Sequence, residues 1–132
     1  MKDMRKIFAV LAAVVLLTGC QETMDERCAR EAREYTEKKC PVQVTTGVMM
    51  DSLVYEASTR TLVYYYTVEG VLDDAEALRT HNLRGMLLKE LRNSANMKDY
   101  KEAGYNFRYV YWSTKENGAQ LFETTFRQKD YQ

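Results

Sequence analysis

The chain has 132 residues, of which 45% are hydrophobic and 29% are charged, as in folded globular proteins rather than disordered ones. Its 19 basic and 19 acidic residues balance, and the sequence lacks the basic stripe that a nucleic-acid-binding surface needs, so we expect no nucleic-acid partner. This length suits one compact domain and is too short for two.

A positively charged start and a short apolar run open the chain. Lys2, Arg5 and Lys6 precede apolar residues at 7–17. The run is shorter than the ~20 apolar residues of a membrane-spanning helix, and it fits the hydrophobic region of a secretory signal. The sequence therefore predicts a signal peptide at residues 1–19, with a buried core helix or an uncleaved anchor as the alternative.

Residues 17–20, Leu-Thr-Gly-Cys, resemble the lipobox of bacterial lipoprotein precursors. In that family a diacylglycerol is attached to the cysteine, and a signal peptidase cuts the chain just before it. The resemblance implies that Cys20 is lipidated and holds the mature protein on a membrane of the cell envelope. In the family, Asp directly after this cysteine often keeps a lipoprotein on the inner membrane, so Gln21 favours the outer membrane. The exposed side, periplasmic or external, stays open.

Residues 22–38 are predicted to form a helix. One apolar stripe recurs at helical spacing and consists of Met24, Cys28, Ala32 and Tyr35. The stripe indicates a helix that docks on the domain, and a helical spacer that rises from the membrane is the alternative. Together with the lipidated N-terminus, this helix makes up residues 20–40, ahead of a domain at residues 41–132.

Cys28 and Cys40 form a candidate disulfide, because a secreted protein enters a compartment where disulfides persist. A helix rises 1.5 Å per residue, so a helix that continues to Lys38 separates the two cysteines too far for a bond that needs Cα atoms within ~7 Å. The pairing therefore requires the helix to end by about Tyr35, and it would clamp the helix to the first strand. The alternative is a free Cys28 that packs as a small hydrophobic side chain.

The remaining chain is predicted to contain two groups of strands, one before and one after a second helix. Runs of β-branched and aromatic residues predict strands at 42–46, 53–57, 61–68, 105–113 and 120–127. The helix is predicted from about residue 75 to 96, with Asp73 as its cap and Glu76 as the capping-box partner. These elements predict a two-layer α+β domain in the order α-β-ββ-α-ββ, with an antiparallel sheet of four to five strands and helices on one face.

No residue cluster in the sequence points to catalysis. His81 is the only histidine and has no Cys or His companion at metal-ligand spacing, so we expect no metal site. Asp73, Asp74 and Glu76 match the acidic first turn of a helix, which the helix dipole favours. Nucleophile, phosphate-loop and dinucleotide motifs are missing as well, so the sequence predicts neither catalytic residues nor a cofactor.

The strands separate into two faces when residues are counted in twos. One face is almost wholly apolar or aromatic and is predicted to be the core under the helices. The other face mixes charged and aromatic residues, and its candidate binding surface consists of Tyr65, Arg108, Val110 and Trp112. The alternative is that these side chains only stabilise the sheet through cross-strand pairing.

Three functions remain open at this point. The first is a non-catalytic envelope module that binds a protein, a peptide or a carbohydrate through the open sheet face, and the small size and the membrane anchor favour it. The second is a structural accessory subunit of an outer-membrane assembly. The third is an enzyme whose site the motifs do not reveal, which would need a cleft lined by titratable groups.

Overall fold

The structure is a computed structural model that describes residues 21–132. The predicted signal peptide and the lipidated Cys20 lie outside the described residues. The elements in chain order are α1 (Met24–Lys39), β1 (Val42–Thr45), β2 (Val48–Glu56), β3 (Thr61–Val68), α2 (Ala75–Thr80), α3 (Leu83–Asn93), α4 (Lys98–Glu102), β4 (Asn106–Ser113), β5 (Gln120–Phe126) and α5 (Gln128–Tyr131). Within this part of the chain, no helix has the length and apolar character needed to cross a membrane.

The five strands form one open sheet in the order β1-β2-β3-β4-β5. The predicted two-layer α+β fold and its element order are confirmed, but the sheet is mixed rather than wholly antiparallel. β3 and β4 run parallel, with Thr61 beside Asn106 and Val68 beside Ser113, whereas the other neighbours are antiparallel. The reason is the helical crossover of α2, α3 and α4, which returns the chain to the end of the sheet where β3 began.

The core lies between the sheet and the helices, as the period-two pattern predicts. The inward strand positions include Leu62, Tyr66, Val68, Phe107, Tyr109 and Tyr111, all buried. The helices contribute the buried side chains of Cys28, Ala32, Leu78, Leu87 and Leu91. Val63 and Val110 are buried as well, but they lie outside this core, on the opposite face of the sheet, which we call the open face.

The second predicted helix is interrupted rather than continuous. α2 ends at Thr80, and Asn82 adopts a left-handed conformation (φ 53°) that an α-helix does not contain. The Asn82 side chain then accepts the Gly85 N–H (3.3 Å) and caps α3. The predicted cap also differs, because Asp74 rather than Asp73 accepts the Glu76 N–H (2.8 Å) at the start of α2.

The expected disulfide between Cys28 and Cys40 is wrong, since both cysteines are free thiols in the structure. α1 continues to Lys39, which separates the two residues by about 18 Å along the helix. The last turns of α1 are held in helical form by the sheet edge, where the Thr36 hydroxyl accepts the Leu53 N–H (2.9 Å) and donates to the Leu53 carbonyl (2.8 Å). Cys28 is buried in the core, and this burial raises its thiol pKa to about 12.

Candidate functional site: a tyrosine-floored groove

The surface predicted from the sequence lies on the open face of the sheet. Tyr65 and Trp112 are half-buried there, and Arg108 is half-buried in an ion pair with Glu123 (Nε to Oε1 3.3 Å). Val110 was wrongly assigned to this surface, because its side chain is only 1% exposed. It lies in the middle of the sheet, flanked by Tyr65 on β3 and Glu123 on β5. The open face is therefore a smaller aromatic patch than the sequence predicts.

A larger concave site lies on the other face, where the helices leave part of the sheet uncovered. A cavity of about 560 Å³ lies between α1, β1 and the segment before α4, and a second of about 490 Å³ lies between β1, α2 and α3. Val44 and Tyr66 line both cavities, so the two are adjacent. We call them together the tyrosine groove. Its other walls include Met50, Leu53, Leu78, Leu87 and Met97.

Four tyrosines on β3 and β4 stack in pairs on the inward face of the sheet, and three of them, Tyr64, Tyr66 and Tyr111, line the groove. The ring centroids of Tyr64 and Tyr109 lie 4.6 Å apart, and those of Tyr66 and Tyr111 lie 4.5 Å apart. The parallel register of β3 and β4 produces this arrangement, because it places Tyr64 beside Tyr109 and Tyr66 beside Tyr111. Three of the four side chains are less than 10% exposed, namely Tyr66, Tyr109 and Tyr111.

The hydroxyl groups of these tyrosines are the unusual feature of the floor. None of the four tyrosine hydroxyls has a hydrogen-bond partner among residues 21–132. Every fully enclosed side-chain polar atom in this range does have a partner. Tyr64, Tyr66 and Tyr111 line the groove, whereas Tyr109 does not. Groove hydroxyls that have no partner among residues 21–132 are free to pair with water or with polar atoms of a bound segment.

The charged groups at the groove are acidic. Glu31 lines the first cavity and Glu90 lines the second, and the described lining includes no lysine or arginine. Burial raises the pKa of Tyr66 and Tyr111 well above the usual value, so both hydroxyls stay protonated and can donate. The groove can thus hold apolar side chains, form hydrogen bonds at its floor and attract a cation at its rim.

The residues that were considered for metal or acid–base chemistry have structural positions. The exposed His81 ends α2, with its Nδ1 atom 2.7 Å from the Ala77 carbonyl oxygen. Among residues 21–132, no three His, Cys, Asp or Glu side chains are placed to share a metal ion. Asp73 is buried, and it accepts a hydrogen bond from Ser113 on β4.

Sequence reasoning assigned the groove tyrosines to the core and so missed the groove. The inward face was identified correctly, but the pattern could not show that the helices leave part of it open. One signal was available: four inward positions of β3 and β4 hold tyrosine, whose hydroxyl needs a hydrogen-bond partner that phenylalanine or leucine would not need.

Two family descriptions match this chain. Residues 23–122 match the family described as Domain of unknown function (DUF8479). Residues 4–21 match the prokaryotic membrane lipoprotein lipid attachment site, which confirms the lipoprotein resemblance. The chain is thus a lipid-anchored protein of the cell envelope. Among curated proteins, none matches the chain by sequence.

Several solved structures share the fold. A protein of Pseudomonas aeruginosa described as secreted has a TM-score of 0.65 at 11% identity, over 85% of this chain and 100% of that one. The type 2 secretion system pilotin EpsS of Vibrio vulnificus has a TM-score of 0.62 at 9% identity, over 82% and 91%. The type II secretion system pilotin AspS of Vibrio cholerae has a TM-score of 0.60 at 10% identity, over 80% and 90%. At these identities the likeness shows the fold alone.

Proposed function

Since the chain belongs to the family described as Domain of unknown function (DUF8479), whose description names no activity, we propose a role from its own geometry. It is an accessory protein of an outer-membrane assembly, and it holds an apolar segment of a partner protein in the tyrosine groove. The observation that carries this proposal is that tyrosines line the floor of a concave site, with hydroxyls that have no hydrogen-bond partner among residues 21–132.

The chemistry of the groove defines the partner segment. Apolar side chains fill the space between α1 and α3, polar atoms of the segment pair with the tyrosine hydroxyls, and a lysine or arginine faces Glu31 or Glu90. A protein segment meets all three conditions at once.

The anchor and the fold support an assembly role over a free binding module. The lipid attachment site holds the protein on a membrane, and Gln21 after the lipidated cysteine favours the outer membrane. Two of the proteins with this fold are pilotins of type II secretion systems. By analogy with these pilotins, we infer an accessory role in an envelope assembly for this chain.

Photo-crosslinking in the native membrane tests whether the partner binds in the tyrosine groove or on the open face of the sheet. A photoreactive amino acid replaces Val44 in the groove or, as the matched control, Val54 on the open face, since both are exposed valines (51% and 42%) near one edge of the sheet. We expect the probe at residue 44 to capture one envelope protein through an apolar segment that carries a lysine or arginine. Capture only from residue 54 would instead assign partner binding to the open face.

Two tyrosine-to-phenylalanine variants test the hydroxyl group, because each change removes a hydroxyl and keeps the aromatic ring. Tyr66→Phe removes a groove hydroxyl, whereas Tyr65→Phe removes the hydroxyl of its neighbour on the opposite face. We expect the first change to reduce the crosslink from residue 44 by roughly fivefold, as the loss of one hydrogen bond of about 1 kcal/mol predicts, and the second to leave it unchanged. Equal yields from both variants would remove the hydroxyl row from the binding site.

A further inference from the structure

The segment between the lipid-bearing residue and the first helix is very short. Thr23 is the N-cap of α1, where its side chain accepts the Glu26 N–H (3.1 Å). Only Gln21 and Glu22 separate this cap from Cys20. Three residue steps span at most ~11 Å, so the start of α1 lies within that distance of the lipid attachment point.

An ion pair shortens the free segment further. The Glu22 carboxylate accepts hydrogen bonds from Arg30 Nη2 (2.6 Å) and Arg30 Nε (3.2 Å). The hydrogen bond from Arg30 lowers the pKa of Glu22, so the carboxylate stays charged in this pair at neutral pH. Because the pair folds residue 22 back onto α1, only Gln21 remains as a free link.

The start of α1 is also fixed to the sheet. Asp25 accepts hydrogen bonds from the hydroxyls of Tyr55 on β2 and Tyr105 before β4, and Arg60 approaches the same carboxylate (3.6 Å). The first helical turn therefore cannot swing away from the domain. Any restraint on the N-terminus acts on the whole molecule.

Three acidic groups near the anchor are paired with arginines, whereas Glu26 in the first turn has no ion-pair partner among the described residues. Glu22 faces Arg30, Asp25 faces Arg60, and a third pair joins Asp99 to Arg27 (3.0 Å). Each acidic group of the three has an arginine within 4 Å. These pairs reduce the repulsion between the start of α1 and anionic headgroups, and they leave Glu26 as the unpaired carboxylate of the first turn.

We propose that the first two turns of α1 contact the lipid headgroups, and that no flexible linker separates the domain from the membrane. The tyrosine groove starts at Cys28, about 8 Å along α1 from the cap, so it opens close to the bilayer. Any segment bound in the groove then lies at the membrane surface. The inference depends on the lipid anchor and the short link, not on the proposed partner.

Fluorescence quenching by nitroxide-headgroup lipids tests this placement. The lipidated full chain is reconstituted in phosphatidylethanolamine and phosphatidylglycerol vesicles that hold no other protein, in a Cys40→Ser background. One label is attached at Glu26→Cys in the first turn of α1, and a matched label at Asn117→Cys in the turn after β4, roughly 25 Å away along the eight-residue strand.

We expect the label at residue 26 to be quenched at least threefold more than the label at residue 117. A twelve-residue Gly-Ser insertion between Gln21 and Glu22 leaves the described domain intact and lengthens the link. It should reduce quenching at residue 26 towards the value at residue 117. Equal quenching at both sites, or strong quenching at residue 26 that survives the insertion, would overturn the proposal. Neither result would bear on the groove as a protein-binding site.

Discussion

Asp73 and Asp74 are neighbours in sequence, but they have different roles in the structure. Asp74 is exposed and caps α2. Asp73 is 2% exposed, and its carboxylate accepts hydrogen bonds from Ser113 Oγ and from the backbone N–H groups of Thr114 and Lys115. These bonds tie the crossover after β3 to the turn after β4. In the sequence both aspartates stand just before the apolar helical pattern, so either could be the cap. Only the contact of Asp73 with Ser113 shows which of the two is not.

Replacement of each aspartate by asparagine separates the two roles. Asn caps helices as well as Asp does, so Asp74→Asn should leave the urea midpoint unchanged. Asp73→Asn removes the charge and replaces one acceptor oxygen by an NH₂ group, so the three hydrogen bonds it receives can no longer all be charge-assisted, and we expect the midpoint at pH 7 to fall by roughly 1 M. Equal shifts in the two variants would contradict the assignment.

The same residue should contribute to acid sensitivity. Burial by itself raises the pKa of Asp73, but the hydrogen bonds from Ser113, Lys115 and Thr114 outweigh it and lower the pKa below its usual value. A carboxyl whose pKa is lower in the folded state stabilises the fold above about pH 4 and loses this contribution as the pH falls through the folded-state value. The difference in urea midpoint between pH 7 and pH 3 should therefore be smaller in Asp73→Asn than in the wild type.

At the scale of elements, the junction between α2 and α3 shows why one predicted helix became two. Asn82 takes a positive φ at low cost and caps α3, which restarts the helix in a new direction. A Cβ atom on Gly85 would lie 2.4 Å from the Asn82 side-chain nitrogen. Gly85 therefore leaves room for the Asn82 side chain that caps α3. This explains why a residue of low helix propensity occupies a position inside the helix.

A double-mutant cycle tests this explanation. Helix propensity alone predicts that Gly85→Ala stabilises the protein by about 1 kcal/mol. We expect no gain in the wild type, because the new methyl group displaces the Asn82 cap, but a gain approaching that value in an Asn82→Gly background, where φ stays accessible and the side chain is gone. Urea unfolding of the four proteins measures the coupling, and additive effects would refute the steric explanation.

At the scale of the whole molecule, the tyrosines connect the core to the groove. Desolvation by burial raises the pKa of Tyr55, Tyr64, Tyr66, Tyr100, Tyr109, Tyr111 and Tyr131. The fold thus favours the neutral phenols, and this stabilisation is complete below about pH 10, the usual pKa of tyrosine. It is lost as the pH rises further, because the unfolded chain then releases protons that the folded chain retains.

An alkaline titration measures this property of the whole molecule. We expect these tyrosines to ionise together with the loss of helical circular dichroism above about pH 10, in one cooperative step. The urea-unfolded chain is the control and should ionise gradually near pH 10. Gradual ionisation of the folded protein with its helicity intact would show that the floor of the groove is more open to water than its burial indicates.

The sequence by itself determined the lipid attachment site, the positions of β1, β3, β4 and β5 to within one residue, and the inward face of the sheet, whereas β2 begins at Val48, five residues before its predicted start. These features depend on local patterns: charge followed by an apolar run, a four-residue motif and a period of two. For this reason the inward positions Leu62, Phe107 and Tyr109 could be predicted without a structure.

Only the tertiary structure decided the parallel pairing of β3 with β4, the free thiols of Cys28 and Cys40, and the groove over the tyrosines. Each depends on distances between segments remote in sequence. A continuous α1 holds the cysteines apart, and the crossover brings Tyr111 beside Tyr66. The space between α1 and α3 depends on how the helices cross the sheet, and residue patterns along one chain do not encode that angle directly.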